Sequence, residues 1–278
     1  MGISSGCARQ MYETRVLSDG HPDIGAREVA AKVSDSKVPS DPLADIVACV
    51  SRAVGLPRVR SAAIIGCGPV PHAVVELQGL GWRAVGIEPV PAFVAAARHL
   101  VGQPEDIVKA SAEETTLESE SQSLVVMQNV LEHVDSPLKA LGEAYRILLP
   151  GGVLFVTTTN RLEITNDEYT VRFYQWLPRL LQEAYVHQHL HFEPRLARHT
   201  SRPAVHWFTY AQLCGLGRSV GFYRFYSKLD LLDKDDGAIR GRPLREFLLN
   251  KVRYNPWLRS AVLTQKGGSI FMLKRQVV

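Results

Sequence analysis

The chain has 278 residues, 46% of them apolar and 22% charged, with 32 Lys and Arg against 28 Asp and Glu. That balance belongs to a globular protein able to bury its own core, and the dispersed formal charge of +4 offers no basic stripe for a nucleic-acid partner. Cys7, Cys49, Cys67 and Cys214 lack any CxxC or Cys/His spacing, which argues against a disulfide framework and a structural zinc and suits a cytoplasmic setting.

Residues 1–40 are polar and irregular, punctuated by Gly20, Pro22, Gly25 and Pro39. No apolar run of signal-peptide type is found there, and none in the chain reaches the roughly 20 apolar residues of a membrane span. Asp45–Val54 carries Ile46, Val47, Val50 and Val54 at helical spacing, and Gly55 and Pro57 end it. Residues 1–60 therefore form an N-terminal extension and helix expected to cover a ligand site, and 61–278 the main domain.

From Ser61 onward, short apolar runs alternate with helical patterns. Strands are expected at Ser61–Ile65, Trp82–Glu88, Ile107–Lys109, Leu124–Gln128 and Val153–Thr159. Helices are expected at Pro71–Gly79, Pro91–Leu100 and Pro137–Leu148, with a turn at Pro150-Gly151-Gly152. Such alternation specifies a doubly wound, mostly parallel sheet. It breaks at about 160–206, which reads as a cap inserted between the fifth and sixth strands and holds five of the nine histidines. Thr209–Val220 then reads as a helix, Phe222–Leu232 as a strand, Pro243–Tyr254 as a helix and Ser269–Lys274 as the last strand.

Chemistry concentrates where strands end. In Ile64-Ile65-Gly66-Cys67-Gly68-Pro69 the two glycines allow a sharp bend and close approach of a ligand. Glu88 ends the next strand, 22 residues after Gly66, where a carboxylate can accept both hydroxyls of a ribose. The pair points to an adenosine-containing ligand. Pro71 occupies the third-glycine position of GxGxxG, which disfavours a dinucleotide.

Two further segments, Asn129-Val130-Leu131-Glu132-His133-Val134 and Leu148-Leu149-Pro150-Gly151-Gly152-Val153-Leu154, resemble those of class I S-adenosylmethionine-dependent methyltransferases of the small-molecule type. The resemblance runs from Ser61 to Thr159, with a weaker echo in Phe208–Phe222. It implies a Rossmann-like seven-stranded sheet, S-adenosyl-L-methionine as cofactor and methyl transfer as the activity. It also implies that Gly66, Cys67 and Gly68 lie beside the methionine portion, Glu88 and the adjoining Pro89 at the ribose, Ala112 and Glu113 at the adenine, and Gln128, Asn129 and His133 near the sulfonium. The chain departs from the pattern at Ile64, where the family has an acid, at Val70, where it has a glycine, and at Ser123, where it has an Asp. A catalytically silent scaffold is therefore the competing reading.

For the acceptor, histidine suits a hydroxyl because its reference pKa of roughly 6.5 makes it available as a base near neutrality. His133 and His206 are the candidates. His187, His189 and His191 alternate and would share one side of an extended segment, yet without accompanying ligands no metal site is expected. Arg172, Tyr174, Trp176 and His191 are candidate acceptor contacts, since aromatic faces beside donors suit sugar rings. The expected reaction is O-methylation of a sugar-containing (glycan or glycoside) or other polar small molecule. Oligomeric state is not readable from these residues.

Overall fold

The computed structural model describes residues 43–55, 57–162, 174–185, 204, 206–231, 241, 243–266 and 269–275. In chain order these form α1 (Leu43–Val54), β1 (Ser61–Ile65), α2 (His72–Gly79), β2 (Arg83–Glu88), α3 (Pro91–Arg98), β3 (Ile107–Lys109), β4 (Gln122–Gln128) and α4 (Pro137–Ile147). Then come β5 (Leu148–Thr157), α5 (Arg179–Tyr185), α6 (Tyr210–Val220), β6 (Arg224–Ser227), α7 (Lys228–Leu231), α8 (Pro243–Tyr254), α9 (Pro256–Lys266) and β7 (Ser269–Leu273).

The seven strands make one sheet in the order β3-β2-β1-β4-β5-β7-β6. β7 runs antiparallel to both its neighbours, and the pairs from β3 to β5 are parallel. The Rossmann-like, mostly parallel seven-stranded architecture expected from the sequence is the one observed.

Helices cover both faces, so the middles of the central strands, Ala62–Ile65 and Leu124–Met127, are continuous apolar runs rather than alternating. Ala63, Ile65, Val125, Met127, Leu154, Val156, Ile270 and Met272 point into one core layer, under α4 and α6. Their sequence neighbours Ala62, Ile64, Leu124, Val126, Val153, Phe155 and Phe271 fill the other, under α1, α2 and α7. α1 contributes Leu43, Ile46, Cys49 and Val50 to that second layer and contacts α2, α7 and β5, while residues 1–42 lie outside the described set.

Three expectations change. The strand expected over Phe222–Leu232 is only Arg224–Ser227, and the chain turns into α7 because the Asp230 carboxylate reaches back to accept from the Ser227 N–H (2.8 Å) and hydroxyl (2.7 Å). That is the capping geometry of a helix start, which overrides the β-prone residues before it. Pro150-Gly151-Gly152 is no turn but part of β5, where the pairing with β4 shifts register between Gln122 and Leu124. Finally, α9 follows α8 directly, although no helix was read there in the sequence.

One polar network fixes the loop after β3. Glu143 on α4 accepts from the Thr115 N–H (2.8 Å) and hydroxyl (2.6 Å) and pairs with Arg146, whose guanidinium also donates to the Leu117 carbonyl and the Ser119 hydroxyl. Partial burial pushes the Glu143 carboxyl up, but the hydrogen bonds from Arg146 and Thr115, with the Arg146 charge, outweigh it and hold it down at about 2. A folded-state value below the ordinary one means this network stabilises the fold fully above about pH 4.5 and is lost as pH falls from there toward about 2. Thermal unfolding of Glu143→Gln should give a lower melting temperature at neutral pH and a flatter dependence on pH across that acid window than the parent.

Candidate active site

The register of the sheet sets Ile65, Ile87 and Met127 level, so the loops after β1, β2 and β4 meet at one edge. In open α/β sheets that C-terminal edge is where ligands bind. Gly66, Cys67, Gly68, Glu88, Pro89, Gln128 and Asn129 are all brought together there, as the sequence reading requires.

The turn after β1 is held from within. Gly66 and Cys67 donate their N–H groups to the Ile87 carbonyl (2.8 and 3.2 Å), and Gly68 donates to Glu88 Oε2 (3.0 Å). Glu88 Oε1 accepts from the Val90 N–H at 3.0 Å, and the residue is only 5% exposed. Glu88 thus joins the loop after β1 to the loop after β2. The loop amides are turned into the protein, and what it offers a ligand is its glycine surface. Gly66 and Gly68 have φ of 72° and 69°, a region that side chains with a Cβ disfavour. A Cβ on Gly66 would lie 2.6 Å from Val130 Cγ2, whereas the space beside Gly68 is open to at least 4 Å. A cradle without side chains, bordered by a buried carboxylate, fits the ribose and amino-acid portion of S-adenosylmethionine.

Cys67 reaches the edge through its backbone only. Its side chain packs under the loop against Gly86, where an added Cβ would stand 2.7 Å from Cys67 Sγ. Burial, followed by the Glu88 charge, pushes its thiol far above the ordinary range, so it remains protonated and is no nucleophile.

On the other side of the edge, Asn129 takes a φ of 54° and donates its N–H to the Thr157 carbonyl (2.9 Å). Asparagine tolerates this left-handed conformation better than most side chains. Glu132 is fully buried and accepts from the Thr158 hydroxyl at 2.8 Å, fastening the Leu131–Val134 turn to the end of β5. Sequence reasoning missed Val130, Thr158 and Gly86. A carboxylate within the apolar run Val130-Leu131-Glu132 and three threonines closing a strand were the available signals.

Ala112 is buried in the core, so only its backbone faces outward. The carboxylate of Glu113 accepts from the Asp135 and Ser136 N–H groups (2.9 and 3.4 Å) at the start of α4 and so ties the segment after β3 to that helix. His133 follows the same turn, its N–H on the Val130 carbonyl (2.9 Å). His206 Nε2 lies 3.0 Å from the Val134 carbonyl. Because a carbonyl only accepts, Nε2 carries the proton and Nδ1 holds the basic lone pair.

Of the acceptor candidates, Tyr174 is fully buried, with its hydroxyl on the Gln182 carbonyl (3.1 Å) and its ring against Trp207. It packs as core, because the short helical turn Tyr174–Trp176 folds its ring inward. Trp176 is half exposed and donates to the Arg161 carbonyl. Arg172, His187, His189 and His191 lie outside the described residues. Among the described residues no cluster of His, Cys, Asp and Glu could hold a metal ion.

The three departures are absorbed by packing. Ile64 belongs to the core layer under α1 and α2, and Val70 packs with Phe93. Ser123 lies at the opposite end of the sheet, where it exchanges hydrogen bonds with Ser61.

Residues 64–156 match the family model described as a methyltransferase domain. Those residues form a methyltransferase domain. The chain is 33% identical over 125 residues to a ubiquinone biosynthesis O-methyltransferase of Bradyrhizobium sp. (strain ORS 278), covering 41% of this chain and 47% of that protein. To the mitochondrial ubiquinone biosynthesis O-methyltransferase of Rattus norvegicus it is 34% identical over 109 residues, 36% of this chain and 31% of the other. The chain thus spans about half or less of these two relatives. Among solved structures, phosphoethanolamine N-methyltransferase 2 of Haemonchus contortus shares the fold, with a TM-score of 0.52, 15% identity and coverage of 99% of this chain and 61% of that one.

The packing of Cys67 under its loop generates a prediction. Gly86→Ala should destabilise the methyltransferase domain by about 1–3 kcal/mol, as overpacking does. Cys67→Ala in the same chain should recover part of that loss, read as a favourable coupling in urea unfolding.

Proposed function

We propose that the protein transfers a methyl group from S-adenosylmethionine to a hydroxyl of a polar small molecule. The observation that carries this reading is the Gly68–Glu88 hydrogen bond, which holds an open glycine cradle beside a buried carboxylate. The two relatives similar in sequence are ubiquinone biosynthesis O-methyltransferases, which supports oxygen as the atom modified.

When bound, the cofactor supplies an activated methyl group for in-line displacement. Gly66 and Gly68 would border its methionine portion, and the backbone of Ala112 and Glu113 its adenine. Each oxygen of Glu88 accepts more than one hydrogen bond, so the carboxylate that shapes the loop can also take the ribose hydroxyls. Gln128, Asn129 and His133 stand at the end of β4, beside the reacting end. A hydroxyl acceptor arrives protonated and needs a base, whereas positioning suffices for an amine. Nδ1 of His206, held by the Nε2 bond to Val134, is suited to take that proton, and His133 is the other candidate. The sugar-containing acceptor relies on Arg172 and His191, which lie outside the described residues, on Tyr174, which is buried, and on Trp176, which is half exposed with its ring N–H on the Arg161 carbonyl. A hydroxyl-bearing small molecule is the acceptor class retained.

The test is transfer of labelled methyl from the cofactor to panels of phenols, glycosides and amines. Label in hydroxyl compounds alone supports the reading, and label in amines alone overturns it. His206→Gln keeps a donor for the Val134 carbonyl and removes the base. Turnover should fall about 10²-fold or more with cofactor affinity nearly unchanged, whereas undiminished turnover would move the role to His133.

A further inference from the structure

His206 lies outside every strand and helix of the described chain. It is fastened at three atoms, and the partners come from two different loops. Its N–H donates to the Glu132 carbonyl (3.2 Å) and its ring Nε2 to the Val134 carbonyl (3.0 Å), both on the turn after β4. Its own carbonyl accepts from the Thr159 hydroxyl (3.1 Å), on the chain leaving β5. Among the described residues Nδ1 has no hydrogen-bond partner, so its lone pair is available.

Thr159 grips this segment twice. Besides the hydroxyl bond, its carbonyl accepts from the Phe208 N–H (3.4 Å), and the Phe208 carbonyl accepts from the Arg161 N–H (2.8 Å). Asn160 and Phe208 run side by side as an isolated parallel bridge. The Phe208 ring is buried in the core layer under α4 and α6 and stacks on the His206 ring, with centroids 6.2 Å apart. The backbone bonds survive any side chain at position 159 other than proline. The hydroxyl bond does not, and it is the one that reaches His206 itself.

The three threonines closing β5 have three different partners. Thr157 offers its carbonyl to the Asn129 N–H, Thr158 its hydroxyl to the buried Glu132 carboxylate, and Thr159 its hydroxyl to His206. Valine or isoleucine would suit a strand end as well on propensity, so the strand itself does not call for a hydroxyl at 159. The turn after β4 also meets the glycine cradle, since a Cβ on Gly66 would stand 2.6 Å from Val130 Cγ2. Cradle and His206 are therefore seated on one turn, and Thr159 holds His206 from the other side.

We infer that Thr159 is the positioning residue of His206: its hydroxyl, by holding the His206 carbonyl, keeps Nε2 on Val134 and leaves Nδ1 to receive a proton. This rests on the reading of His206 as the base. A ring nitrogen committed to a carbonyl locks one tautomer and one orientation. Without the hydroxyl, the bonds to the β4 turn carry that alignment alone, and a displacement on the order of 1 Å can cost up to about 10²-fold in rate.

The first test is nitrogen NMR of the His206 imidazole in the full chain, in alkaline solution where such rings are neutral. The parent and Thr159→Ser should show Nε2 protonated and Nδ1 bare. In Thr159→Val, which keeps the shape and loses the hydroxyl, the two signals should move toward each other as tautomers mix. Thr159→Ala serves the same purpose if the Val variant does not fold. Signals identical to the parent's would overturn the inference. The second test follows the phenol or glycoside that takes most label from the parent. Thr159→Val should lower kcat about tenfold with KM and cofactor affinity within about twofold, and Thr159→Ser should restore it. In a His206→Gln background the same change should add nothing. An equal fall in both backgrounds would overturn the inference and leave the base reading standing. Undiminished turnover in His206→Gln alone would overturn the base reading and the inference with it.

Discussion

The N–H groups of Gly68 and Val90 end on the two oxygens of a single buried carboxylate, Glu88, and the shape of the sheet's ligand edge follows from that. A carboxylate at 5% exposure stands there only because it is hydrogen-bonded on both oxygens. Its bonds draw the loop after β1 toward the loop after β2. The amides of Gly66 and Cys67, both on the Ile87 carbonyl, hold the turn from the same side.

The remaining pieces of the edge are fixed by analogous bonds from the far side. Thr158 holds the buried Glu132, Thr157 holds Asn129, and His206 holds Val134. The segment after β3 is fixed through Glu113 to α4 and through Thr115 to Glu143. Each of these bonds joins a loop to an element whose position is set by the two apolar layers of the core. The cradle, in the described residues, is therefore preorganised by the folded sheet.

Much of this was legible in the sequence because strand and helix periods alternate from Ser61 to Thr157, with a helix missing only between β3 and β4. Gly66, Gly68 and Glu88 stood out as a combination, because a glycine turn and an acid at the end of the next strand, each common alone, together point to an adenosine-containing ligand. What was not legible depends on contacts distant in sequence. Nothing local shows that Cys67 turns under its loop to meet Gly86, or that Ser123 pairs with Ser61 at the far end of the sheet. Tyr174 reads as a ligand-facing aromatic in a mixed segment, and only the Gln182 carbonyl and the Trp207 ring reveal it as core. The end of β6 was misjudged because Asp230, three residues on, stops the strand with its own side chain. The α8–α9 pair carries helical spacing, but its apolar stripe faces outward, a direction that periodicity alone does not give.

The measurement that bears most directly on the central claim is calorimetric titration of the purified protein with S-adenosylmethionine and, separately, with NAD. The account predicts binding of the methyl donor, no binding of NAD, and loss of the donor's binding in Glu88→Ala at a temperature where that variant is still folded. Absence of binding by the folded parent, or equal affinity in the variant, would contradict it.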